Sequence, residues 1–184
     1  MSLTLPPPGV EIVLIVLLLA AAVYDVRYRR IPNWISVSGA AIGLALNSFL
    51  YGGVAGLIFS LKGLVLGFVV YFALYMLHAM GAGDVKLMGA VGALVGWRNW
   101  FAIFLVTAIV GGVLALLVMV LRGRVKKTLW NVGYIFSEMG HGRPAYIGRE
   151  ELDVKSPKSM GLPHGAVIAV GTIFFLALSV HFAQ

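Results

Sequence analysis

The sequence predicts an all-α integral membrane protein of about six transmembrane helices, and three observations carry that prediction. Of the 184 residues, 60% are hydrophobic and only 11% are charged, against about 25% charged in a soluble domain. The apolar residues gather into runs near the ~20 residues a helix needs to cross ~30 Å of hydrocarbon. Lipid offers no hydrogen bonds to the backbone, so runs of this kind are read as helices. The basic residues, finally, fall almost entirely on one side of the membrane once the runs are threaded back and forth.

The first run extends from about Val10 to Tyr24, "VEIVLIVLLLAAAVY", and the second from about Trp34 to Leu50. The third is long, from about Val54 to Met80, with Lys62 near its start. The fourth is short, from about Val85 to Trp97, and the fifth runs from about Trp100 to Leu121. The sixth, "GAVIAVGTIFFLALSV", covers about Gly165 to Val180. If "DVRYRRIPN" is cytoplasmic, 12 of the 14 Lys and Arg residues lie inside, and only Lys62 and Arg98 lie outside. The positive-inside rule then gives both termini outside. No Lys or Arg precedes the first run, so it is expected to be an uncleaved span and not a signal peptide. Residues 1–184 read as a single membrane-embedded domain.

One polar region remains, the loop 122–160, placed on the cytoplasmic side. Within it "VKKTLWNVGYIFSEM" sets Leu129, Val132, Ile135, Phe136 and Met139 near helical spacing behind a basic cluster. It is either an amphipathic helix lying on anionic lipid or a plain solvated connector. The net charge of +7 is accounted for by membrane orientation, and no nucleic-acid partner is expected. The absence of cysteine excludes disulfides, thiolate zinc sites, Fe–S clusters and a cysteine nucleophile. There is no HExxH zinc motif and no serine in a GxSxG setting. No metal or cofactor is expected.

Against this background the stretch "GAGDVKL", 81–87, stands out, because Asp84 sits at the seam between two apolar runs. A charge at such a place is costly and points to function. Asp25, in "YDVRYRRIPNWIS", ends the first run. The topology puts both acids at the inner boundary, so they can meet. Close carboxylates cannot both ionise, and such a pair shares a proton. One takes a proton from water, the other protonates a substrate carbonyl oxygen, and the resulting diol passes a proton to the leaving amine. The neighbours suit that chemistry. Gly81 and Gly83 let a substrate strand approach. Pro32 restricts the residue before it and is expected to end or bend the helix around Asp25. Arg30 and Lys86 can act on the carboxylates or bind lipid phosphate. His78 reads as a polar helix-end residue.

These residues resemble a known family. "GAGD" at 81–84 matches the GxGD motif of intramembrane aspartyl proteases, and D-x-R-x-x-x-I-P-N, Asp25 to Asn33, resembles the first-aspartate motif of the type IV prepilin peptidases. "GLPHGAVIAVGTIF", 161–174, with Pro163 and Gly165, is similar to the family's closing segment. The length and six-span plan look like the small form that serves Flp/Tad-type pili. The resemblance implies that Asp25 and Asp84 are the catalytic pair and that the substrates are prepilins with short basic leaders, cut at the cytoplasmic face of the inner membrane. It also implies a supporting motif of Gly81, Gly83, Lys86, Arg30, Pro32, Asn33, Pro163 and Gly165. Larger members carry a CxxC region and N-methylate the product, and a chain without cysteine is expected to lack that zinc-binding region. His164 stands where an aromatic residue is usual and reads as a tolerated substitution. The acids of "REELD", Glu150, Glu151 and Asp153, either dock the basic leader or are simply solvated. Membrane lipids are the other expected partner. The alternatives are an archaeal preflagellin peptidase, a transporter with intramembrane acids, or a non-catalytic assembly subunit.

Overall fold

The computed structural model of the chain describes residues 6–123 and 163–182, together with residues 125, 126, 130, 131, 133, 134 and 137, which are helical. The core positions of the proposed amphipathic helix (Leu129, Val132, Ile135, Phe136, Met139) and the acids Glu150, Glu151 and Asp153 lie outside the described residues. Every long element is a helix: α1 (Pro8–Tyr28), α2 (Asn33–Leu50), α3 (Val54–Met76), α4 (Ala82–Leu121) and α5 (His164–Phe182). All five are long and apolar enough to cross a membrane. Their outward faces remain apolar, as at Ile12, Val16, Val23, Phe49, Val69 and Leu117, all exposed. Such a surface suits lipid.

Five helices stand where six runs were expected, because the fourth and fifth runs form one element of 40 residues. It is not a straight rod. A straight helix would separate Met88 and Trp100 by about 18 Å along its axis, yet Trp100 Nε1 donates to the Met88 carbonyl at 3.0 Å. The chain turns back on itself at Gly96, whose φ of 73° and ψ of 172° are not helical. Only glycine suits that position. The left-handed φ disfavours any side chain, and a Cβ there would also run into the Phe59 ring.

The turn-back exposes backbone that an unbroken helix would satisfy. The carbonyls of Ala93 and Leu94 would ordinarily bond the N–H groups of Trp97 and Arg98, and the break takes those groups off the helical path. Asn47 replaces them: its Nδ2 donates to Ala93 O at 2.8 Å and to Leu94 O at 3.0 Å. The Ser60 hydroxyl donates to Ala93 O as well. Breaks inside a membrane are tolerated where neighbouring helices restore the freed bonds, and α2 and α3 each contribute one polar residue for this purpose.

Residues 82–95 therefore form a short arm enclosed by the rest of the bundle. Nearly every residue from Asp84 to Gly96 is buried, the signature of a helix packed on all sides. Small residues make the enclosure possible. The buried positions of α3 are Gly56, Ser60, Gly63, Gly67 and Tyr71, three or four apart on one face. Gly63 and Gly92 approach so closely that a Cβ on either would strike the other's backbone. Gly43 of α2 makes a similar approach, a Cβ there lying 2.9 Å from Leu94 N. Close backbone contact through small residues is a main source of helix association in lipid.

Two boundaries differ from expectation. The third run was expected to reach Met80, but α3 ends at Met76 and His78 takes a positive φ of 57°. His78 does lie just past the helix end, its Nδ1 3.2 Å from Met76 O. Pro32 does not end α1. That helix stops at Tyr28 because Arg29 adopts the left-handed conformation, its N–H returning to Asp25 O at 2.8 Å. Pro32 instead caps the start of α2, where a fixed φ and a missing N–H cost nothing.

The account of the break predicts that Asn47→Ala, which leaves two buried carbonyls short of donors, destabilises the protein by about 1–2 kcal/mol. Thermal unfolding in detergent should show a clear drop for this variant. An unchanged unfolding temperature would mean that the carbonyls find other partners and that Asn47 does not secure the break.

Candidate active site

Five helix ends meet at one end of the bundle: the C-termini of α1 and α3 and the N-termini of α2, α4 and α5. Asp25 lies one turn from the end of α1, and Asp84 lies in the first turn of α4. Both are only 8% exposed. A charged side chain is almost never that buried unless something holds it.

What holds each is a helix N-terminus. Gly81 stands at the N-cap of α4, and its N–H donates to Asp84 Oδ2 at 3.1 Å. Glycine has no side chain to return the bond, so only half of a capping box is built. Gly165, in the first turn of α5, donates its N–H to Asp25 Oδ2 at 2.7 Å. That bond joins residues 140 apart in sequence. The first N–H groups of a helix lack intrahelical partners and carry the positive end of its dipole, so the two helix starts favour negative charge where the acids sit. The two carboxylates lie within reach of each other's charge. In both, Oδ2 takes the backbone bond and Oδ1 remains for other work.

Close packing fixes the pair. Ile31, buried in the link between α1 and α2, wedges between Gly83 and Gly165. A Cβ on Gly83 would lie 3.1 Å from Ile31 Cβ. One on Gly165 would lie 2.8 Å from Ile31 Cδ1 and 3.1 Å from Asp25 Oδ2. Any side chain at Gly165 would therefore press on the carboxylate itself. Tyr71, buried near the C-terminal end of α3, brings its phenol within electrostatic reach of Asp84. Its ring packs edge-on against Trp100 and Phe104, with centroids 6.4 and 6.0 Å away.

The expected site residues divide into two groups. Asp25, Asp84, Gly81, Gly83 and Gly165 come together as one cluster. Lys86 and Asn33 sit at its rim and bond each other, Lys86 Nζ to Asn33 Oδ1 at 2.8 Å, which ties the first turn of α4 to the start of α2. Arg30 is exposed. Pro163 directly precedes α5, its carbonyl accepting from Val167 N at 3.2 Å. Sequence reasoning missed Ile31 and Tyr71. Ile31 is one position of the D-x-R-x-x-x-I-P-N pattern and carries no sequence signal of its own. Tyr71 was hidden in an apolar run, and its spacing of four from Gly67 was the one available signal. Among the described residues, no cluster of three His, Asp or Glu side chains is placed to hold a metal ion.

Comparison with known proteins adds an independent line. The model of the type IV leader peptidase family matches residues 12–116, a span that contains both aspartates. A prepilin leader peptidase/N-methyltransferase of Stutzerimonas stutzeri is 34% identical over 104 residues, covering 53% of this chain and 35% of that protein. A preflagellin peptidase of Methanococcus voltae is 33% identical over 81 residues, covering 42% of this chain and 34% of that protein. A prepilin leader peptidase/N-methyltransferase of Pectobacterium carotovorum subsp. carotovorum is 30% identical over 117 residues, covering 58% and 40%. The matches thus span well under half the length of these relatives. No solved structure matches the chain.

Proposed function

The chain belongs to the type IV leader peptidase family, and we propose that it is an aspartic endopeptidase that removes the leader peptides of prepilins, with Asp25 and Asp84 as its catalytic pair. The observation that carries this reading is the meeting of two buried carboxylates, each held through Oδ2 by a helix N-terminus. An acid kept inside a membrane bundle only for structure needs no like-charged neighbour. Two buried acids within reach of each other's charge are the equipment for moving one proton between water and a peptide carbonyl.

The chemistry runs as follows. The pair holds one proton. The ionised carboxylate takes a proton from a water molecule as its oxygen attacks the scissile carbonyl carbon, and the protonated carboxylic acid gives its proton to the carbonyl oxygen. The product is a neutral tetrahedral diol. Collapse breaks the C–N bond: the protonated carboxyl gives its proton to the leaving nitrogen, the ionised one takes a proton from a diol hydroxyl as the new carboxyl group forms, and the pair again holds one proton. Anchoring Oδ2 of each aspartate leaves Oδ1 free for these transfers without reorganising the site, which is how preorganised groups lower a barrier. Gly83 and Gly165 add no side chain beside the pair, and Ile31 packs against both.

The substrate is a prepilin of the Flp/Tad kind, with its basic leader at the cytoplasmic face of the inner membrane. Relatives named for prepilin and for preflagellin match at nearly the same identity, so an archaeal preflagellin is the second reading. The chain crosses the membrane six times, residues 82–95 and 97–121 counting separately, with both termini outside. In that orientation Arg27, Arg29 and Arg30 lie beside the site on the anionic leaflet, which draws basic residues at about 1 kcal/mol each. Because the chain lacks cysteine, single cysteines introduced at positions 29 and 53 report the orientation. A membrane-impermeant thiol reagent added to intact cells should spare position 29 and label position 53, and the reverse pattern would overturn the topology.

Co-expression with a candidate prepilin tests the activity, read as the mass of the pilin N-terminus. Wild-type protein should yield the leader-free form, and Asp84→Asn, folded and inserted, should leave the precursor intact. Continued processing by Asp84→Asn would remove Asp84 from the mechanism. Intact precursors of both the prepilin and preflagellin classes alongside well-inserted wild-type protein would count against the peptidase reading as a whole.

A further inference from the structure

Among the described residues of the five helices, Lys62 is the charged side chain set furthest from any helix end or turn. It lies eight residues into α3, about 12 Å along the axis from Val54. The other charges stand near a helix terminus, as Glu11, Asp25, Arg27, Asp84 and Lys86 do, or beside the turn at Gly96, as Arg98 does. Lys62 is exposed on the outward side of α3 and makes no hydrogen bond or ion pair with any described residue. A lone cation facing lipid at that depth is costly, and a charge kept there calls for a partner.

The surface around it has a definite shape. Lys62 lines an open groove of about 490 Å³ with Ile58, Leu61, Val65, Leu66 and Val69. All six belong to α3, so the groove follows the helix axis for about 16 Å, and apart from Lys62 its lining is aliphatic. Side chains on a helix tilt toward its N-terminus, and the flexible lysine stem carries the ammonium further that way. The N-terminus of α3 lies at the end of the bundle remote from the aspartates. Tyr51, exposed in the link before α3 and packed on Phe59 with centroids 5.3 Å apart, marks the polar boundary at that end, where tyrosine collects. The ammonium therefore reaches toward the boundary, while Val65 and Val69 continue the groove away from it into hydrocarbon.

We propose that this groove binds one anionic phospholipid of the leaflet remote from the aspartates, with its headgroup phosphate on the Lys62 ammonium and an acyl chain along Val65 and Val69. A cation at the head of an aliphatic track matches that molecule in both charge and layout. A carboxylate on a partner helix would have to bring a second charge into lipid, whereas phosphate already lies at the boundary that the ammonium reaches and attracts basic side chains there. The site also backs the part of α3 that secures the break in α4. Ser60 and Gly63, in the same turn as Lys62, face the buried arm, where the Ser60 hydroxyl donates to Ala93 O and Gly63 packs on Gly92. A lipid bound only by the folded bundle stabilises that arrangement by mass action. The inference rests on the fold and does not depend on the peptidase reading.

The full-length protein in mild detergent is titrated with phosphatidylglycerol, and the retained lipids are counted by native mass spectrometry. Basic residues at the other end of the bundle also attract this lipid, so the readout is the difference between variants. Lys62→Gln removes the charge and Val65→Trp fills the groove. Each should weaken the retention of one phosphatidylglycerol by roughly fivefold, while Lys62→Arg should match wild type. Zwitterionic phosphatidylcholine should be held equally by wild type and Lys62→Gln. Phosphatidylglycerol should also raise the unfolding temperature of wild type more than that of Lys62→Gln. Equal retention of phosphatidylglycerol by wild type and Lys62→Gln would overturn the proposal. Unchanged retention by Val65→Trp would put the lipid elsewhere, with the same consequence. A dimer mass in wild type that Lys62→Gln abolishes would assign the groove to a second copy of the chain and overturn it too.

Discussion

A helix that turns back on itself inside a packed bundle must find donors for the carbonyls it frees, and the neighbouring helices of this bundle meet that demand. Gly96 turns α4 back on itself, and Asn47 and Ser60 bond the carbonyls left behind. Without the break, residues 82–121 would be about 60 Å of straight helix, twice the ~30 Å of hydrocarbon. With it, residues 82–95 become a short central arm buried on all sides. Its N-terminus carries Asp84 to the end of the bundle where α1 ends and α5 begins. The position of one acid relative to the other thus depends on backbone bonding at the far end of the arm.

The second condition is close packing. Gly63 against Gly92, and Gly43 against Ala93 and Leu94, leave no room for side chains between the arm and α2 or α3. At the site end the same device operates with one large residue between two small ones: Ile31 fills the space that Gly83 and Gly165 leave. An interior assembled from such contacts has few soft degrees of freedom. That suits a site in which two carboxylates must stay within reach of each other while a peptide enters.

Much of this was legible in the sequence, for a physical reason. Charges in or beside apolar runs are rare enough to be conspicuous, so Asp25 and Asp84 stand out in the sequence, and the fourth and fifth runs are separated at Arg98, close to the turn that the backbone makes at Gly96. The glycines beside Asp84 were legible for the same reason. What stayed hidden depends on distant partners. Asn47 looks like an ordinary polar residue in a membrane helix until the carbonyl that it satisfies, 46 residues away, is known to be free. Tyr71 and Ile31 belong to the site only because α3, α4 and α5 converge there. Pro32 was assigned to the wrong helix, since a proline between two helices can serve either and the left-handed Arg29 that ends α1 has no marked sequence signal. His164 reads in the sequence as a tolerated substitution because the tyrosine that it packs on belongs to another helix.

The central claim is that the two aspartates act as one unit, and a double-mutant cycle on cleavage measures this most directly. Single-turnover rates would be determined for wild type, Asp25→Asn, Asp84→Asn and the double variant, on one prepilin peptide and at matched folded concentration. Groups that share one proton are lost together, so each single variant should be nearly as slow as the double. Losses that multiply, with the double variant slower than either single by the product of their separate effects, would show two independent contributions and contradict the account.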